Sequence, residues 1–225
     1  MLERKQTLVA VISIFVIIAS FLLMWLPHQR RPPTIRLEPF EAAGEMAAEE
    51  IARLLGAKGQ NVIVAFDPGK VRMPSANVAA SALNAELQGF NNAIKKQGNL
   101  TVVATETVEV LHLGAFYPDS GLAAEKYFEL MEKYPSVDAI VSVAGVPLLR
   151  EEDFEKLGAK FPKFIAVSSF GGGPIQKVLA AHAVQAVIAP RWQTPDQSAT
   201  KPKSRRDWFD KHYEVLTAES VPASQ

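Results

Sequence analysis

From Asn61 onward, short unbroken apolar runs alternate with stretches in which apolar residues recur every three or four positions. The run Asn61–Phe66 ends in Asp67-Pro68-Gly69, the pattern of a strand buried on both faces. Residues 78–98 then carry Leu83, Leu87, Phe90 and Ile94 at helical spacing, with Gly98 as a stop. The same reading predicts a strand over 100–110 and a helix over 121–134, with Tyr127, Leu130 and Met131 on one side. A third strand follows over 137–145, a short helix over 151–161 and a fourth strand over 163–170. A fourth helix over 174–184 comes after Gly171-Gly172-Gly173, and 183–189 forms a fifth strand. Ahead of the alternation, 41–59 is helical: Met46, Ile51, Leu54 and Leu55 share a face, and Gly56 or Gly59 ends it.

Strands separated by helices require parallel crossovers, and right-handed crossovers make a doubly wound arrangement the first choice. The expected fold class is α/β, with a mostly parallel sheet of five to six strands occupying 40–189. After Pro190 the sequence turns polar, proline-bearing and locally basic, so 190–225 is expected to be an extended polar loop, an edge strand over 212–217 and a loose C-terminus.

The N-terminus reads differently. After a tail of seven residues, Leu8–Leu26 has no charge, and Ser13 and Ser20 are its only polar side chains. About 20 apolar residues at 1.5 Å rise span a ~30 Å hydrocarbon core, so a transmembrane helix is expected. A cleaved signal peptide needs a shorter apolar region and a small-x-small site. This run ends Leu23-Met24-Trp25-Leu26-Pro27, and the chain has no cysteine for a lipid anchor. Residues 27–39, with four prolines among arginines, form an extended linker. Arg4 and Lys5 before the span and Arg30, Arg31 and Arg36 after it barely choose a topology.

Among 225 residues, Lys plus Arg equals Asp plus Glu at 24 each, so no global field points to nucleic acid. The absence of cysteine removes disulfides, thiolate catalysis and zinc–thiolate sites. The four histidines lack ligand spacing. Asp67-Pro68-Gly69-Lys70 lacks the P-loop spacing, and the late glycine run does not complete a dinucleotide fingerprint. The third strand ends Ala144-Gly145, without the aspartate a phosphorelay receiver needs. No nucleophile–base pair, metal set or cofactor loop assembles, so a non-enzyme without cofactors is expected.

NVIVAFDPG, a helix containing GFNNAIKKQGN, LTVVATETV and AAEKYFELMEKYPSVDAIVSVAG together resemble the first lobe of type I periplasmic sugar-binding proteins. Phe90, Gly98, Tyr134, Pro135 and Val137 to Ile140 carry the likeness, which covers roughly 61–190. The resemblance implies a periplasmic-binding-protein-lobe or flavodoxin-like sheet on the extracytoplasmic (periplasmic) side of a single-pass anchor. Those proteins close two lobes on a ligand, whereas this sequence has room for one, so tight sugar capture by a monomer is not expected.

Open α/β sheets bind ligands beyond the carboxyl ends of their strands. Candidate ligand-binding residues there are Asp67, Gly69, Gly145, Ser168, Ser169, Gly171, Gly172 and Gly173. The last three suit an anion on free amides, but three glycines equally make a tight strand-to-helix turn. Trp192, Arg205, Arg206 and Trp208 are candidate partner-binding residues, since tryptophan and arginine dominate interface energetics. Trp208 and Phe209 alternatively pin the last strand to the core. The sequence thus reads as a membrane-anchored, non-enzymatic interaction protein, a subunit or accessory of a membrane assembly. The alternative is a solute-binding or sensor component that completes its cleft by dimerisation or with a partner. Expected partners are the lipid bilayer and other membrane-protein subunits or a second copy, with no nucleic acid.

Overall fold

The computed structural model describes residues 35–56, 58–70, 76–110, 120–157, 161–168, 174–191 and 202–220. The chain divides into Met1–Arg36 and Leu37–Gln225, and all the elements below belong to the second unit. The predicted span Leu8–Leu26 lies outside the described residues. Among the described residues no helix is long and apolar enough to cross a membrane.

Helix α1 (Glu38–Leu55) begins with Pro39 in its first turn and stops at Gly56, whose φ of 77° suits glycine. Gly59, the other predicted stop, lies inside strand β1 (Lys58–Phe66). Helix α2 (Ala76–Ile94), strand β2 (Asn99–Val108) and helix α3 (Ala124–Lys133) follow. Two-residue strands β3 (Leu122–Ala123) and β5 (Pro147–Leu148) pair in parallel on either side of α3 and strand β4 (Ala139–Ser142). Beyond them come α4 (Glu151–Phe154), β6 (Lys163–Val167), α5 (Ile175–Ala180) and β7 (Ala186–Pro190), shorter than the predicted runs.

The main sheet has the order β2-β1-β4-β6-β7-β8, parallel throughout except for β8 (Tyr213–Leu216), which runs antiparallel to β7 at the edge. This is the doubly wound α/β sheet expected from the alternation. All of β4, Phe164–Val167 of β6 and Ala186–Ala189 of β7 are buried, as parallel strands covered on both faces must be.

Of the extended polar loop, edge strand and loose C-terminus expected over 190–225, the edge strand is present as β8, and one stretch read as loop differs. Arg205–His212 forms helix α6, started by a reciprocal cap. Asp207 donates its backbone N–H to Ser204 Oγ at 3.0 Å, and its carboxylate accepts the Ser204 N–H at 3.0 Å. Trp208 and Phe209 on this helix are buried in the core.

Candidate functional site

The strand order reverses between β1 and β4, since β2 lies on the other side of β1. Crossovers leave β1 and β4 in opposite directions there, opening a crevice beyond their carboxyl ends. Asp67 follows β1, Gly145 closes the turn after β4 and Ser168 follows β6, so the fold brings these three to one sheet edge. Ser169, Gly171, Gly172 and Gly173 continue from Ser168 but lie outside the described residues.

Asp67 is fastened by its backbone N–H to the Val108 carbonyl at 2.9 Å. Its Oδ1 accepts the Gly69 N–H at 2.9 Å, and its carbonyl accepts the Lys70 N–H at 3.1 Å. The Asp-Pro-Gly sequence therefore makes a side-chain-braced turn. Lys70 and Glu109, both more than half exposed, pair at 3.3 Å and link the ends of β1 and β2.

Ser142 is fully buried and donates its hydroxyl to the Gly145 carbonyl at 2.9 Å. Gly145 has φ of 92° and packs against Gly121, whose φ is 144°. A side chain on Gly121 would overlap the Val146 carbonyl oxygen, which accepts the Leu122 N–H at 2.9 Å. Two glycines with left-handed backbones thus let the loops before β3 and before β5 touch. Gly121 belongs to this edge but was missed from sequence, because nothing local announces a two-residue strand pair. Ser168 is buried, and its N–H donates to the Ile188 carbonyl at 2.8 Å. Among the described residues the edge is backbone-rich, and its charges are the Asp67 carboxylate and the Lys70–Glu109 pair. Among the described residues no cluster of three His, Cys, Asp or Glu could hold a metal.

The partner candidates fare differently. Trp192 lies outside the described residues. Trp208 is 6% exposed and stacks on His212 with ring centroids 5.5 Å apart, so it anchors the helix inward rather than presenting a surface. Arg205 pairs with Glu41 of α1. Arg206 reaches Asp210 at 3.1 Å and Glu49 at 3.8 Å, and covers the Phe209 ring at 5.6 Å. Both arginines bridge α6 to α1 while keeping about half of their side chains in solvent.

A cavity of about 420 Å³ opens at the opposite, amino edge of β6 and β7, lined by Tyr127, Leu157, Phe161, Pro162, His182 and Gln185 among others. Its polar groups are largely engaged. The buried Tyr127 hydroxyl, whose pKa burial pushes up, donates to the Ala183 carbonyl at 3.0 Å. Gln185 accepts from Phe164 N–H at 2.5 Å and donates to the His182 carbonyl at 2.9 Å.

No protein-family model matches this chain, and no curated protein sequence does. Solved structures do. A sugar ABC transporter sugar-binding protein from Bacillus halodurans matches with a TM-score of 0.50 at 16% identity, covering 81% of this chain and 63% of that one. AraP, an arabinose-binding protein from Geobacillus stearothermophilus, gives 0.49 at 18% identity over 80% and 61%. GanP, a glucose-galactose-binding protein from the same organism, gives 0.47 at 14% over 82% and 62%. The chain therefore spans about three fifths of the length of these proteins. At such identities the likeness is one of fold, and that fold is the one the sequence resemblance implied.

Proposed function

We propose that this protein is a membrane-anchored, non-enzymatic interaction protein that presents one binding-protein-like lobe on the extracytoplasmic side, as a subunit or accessory of a membrane assembly. The observation that carries this reading is the state of the carboxyl edge. Ser142 is tied to Gly145, Asp67 to Gly69 and Lys70 to Glu109, so the polar side chains at the crevice brace its own loops. Small-molecule sites instead converge several polar groups on a ligand and bury 70–90% of its surface, by the general rule. A braced, backbone-rich rim suits docking against another lobe. In this reading Asp67, Gly69, Gly145, Ser168 and the adjoining Ser169 and Gly171 to Gly173 form the docking rim. Trp192, Arg205 and Arg206 supply a second contact, and the apolar run Leu8–Leu26 holds both near their partner at raised effective concentration.

The second reading, a solute-binding or sensor component with a cleft completed by a partner lobe, is favoured by the fold shared with a sugar-binding protein at a TM-score of 0.50. One preparation tests both. The full chain, extracted in detergent, retains a stoichiometric partner, and Asp67→Ala together with Arg205→Ala and Arg206→Ala releases it. Calorimetry with arabinose or galactose gives no heat below millimolar concentration. Micromolar sugar binding by the monomer promotes the second reading. Mature protein starting beyond Leu26 in a soluble fraction ends the tether.

A further inference from the structure

We draw no further inference here: the strongest candidate, the cavity of about 420 Å³ at the amino edge of β6 and β7, has its polar groups bonded to one another, and with residues 158–160, between its lining residues Leu157 and Phe161, outside the described residues, nothing in the structure shows what fills it.

Discussion

Helix α1 is gripped from two sides by different chemistry. Against α2 the contact is backbone on backbone. A side chain on Gly44 would overlap the Glu86 carbonyl oxygen and come within 2.9 Å of the Phe90 nitrogen. One on Gly89 would overlap the Glu41 carbonyl oxygen. Alanines Ala42, Ala43, Ala47, Ala82 and Ala85 are buried along the same two helices. Against α6 the grip is long side chains: Trp208 and Phe209 buried inward, Arg205 and Arg206 reaching outward to Glu41 and Glu49. The first grip works by what is missing from its side chains, the second by what they fill. Close-packed backbone has no adjustable part, whereas an exposed ion pair can rearrange at little cost.

The largest effect should come from emptying the second grip. Trp208→Ala or Phe209→Ala removes a buried aromatic ring and should cost about 3–5 kcal/mol. For a chain of this size that corresponds to a melting temperature lower by on the order of 10 °C. The same rings would carry an interface if they were exposed, so the measurement separates the two roles. A Trp208→Ala variant with unchanged melting but lost partners would return that residue to the surface.

Overfilling the first grip comes next. Gly44→Ala and Gly89→Ala each add one methyl group to helices where alanine is ordinarily favoured by about 1 kcal/mol over glycine. The backbone atoms they would strike cannot rotate away, so each should instead destabilise by about 1–3 kcal/mol. Chemical denaturation of the two single variants and the double checks this. Either variant gaining stability would mean that α1 and α2 do not approach as closely as described.

The two grips also differ in how far they could be read from the sequence. Continuous apolar runs such as Val62–Phe66 and Phe164–Val167 identified the strands, and right-handed crossovers then allowed few orders for them. The placement of Asp67, Gly145 and Ser168 at one edge followed, because strand ends determine it. Gly44 and Gly89 were passed over, since a glycine inside a helical pattern registers locally as a weakness and only a second helix gives it a purpose. The Ser204-x-x-Asp207 cap was present in the sequence but sat among Lys, Pro and Arg that read as loop. The burial of Trp208 depends on α1, some 160 positions earlier in the chain, as the 3.7 Å approach of Arg206 to Met46 Sδ illustrates. Hydrogen bonds that engage Ser142 and Asp67 were equally invisible, because they depend on loop conformation rather than on residue type.

The smallest effect concerns charge, and here the sign separates two glutamates. At the α6 grip, partial burial raises the Glu49 pKa, with Glu45 adding to it and Arg206 opposing. Its folded pKa lies above the unfolded one, so the ionised carboxylate weakens the fold at neutral pH. That penalty is relieved as pH falls through the folded pKa, and relief is complete below the ordinary glutamate value. On β2, hydrogen bonds from Lys133 and then Tyr134 lower the Glu106 pKa. Its contribution is fully present above the ordinary value and disappears as pH falls through the lower, folded pKa. Glu49→Gln should therefore leave neutral stability unchanged or raise it by up to about 0.5 kcal/mol, since Glu49 is largely solvated. It should also remove a gain seen on mild acidification. Glu106→Gln should lower neutral stability slightly and flatten the acid limb of the curve. Urea midpoints measured across the acid range for both variants decide it. If Glu49→Gln loses stability at neutral pH, the pairing with Arg206 outweighs burial and the neighbouring glutamates at this site.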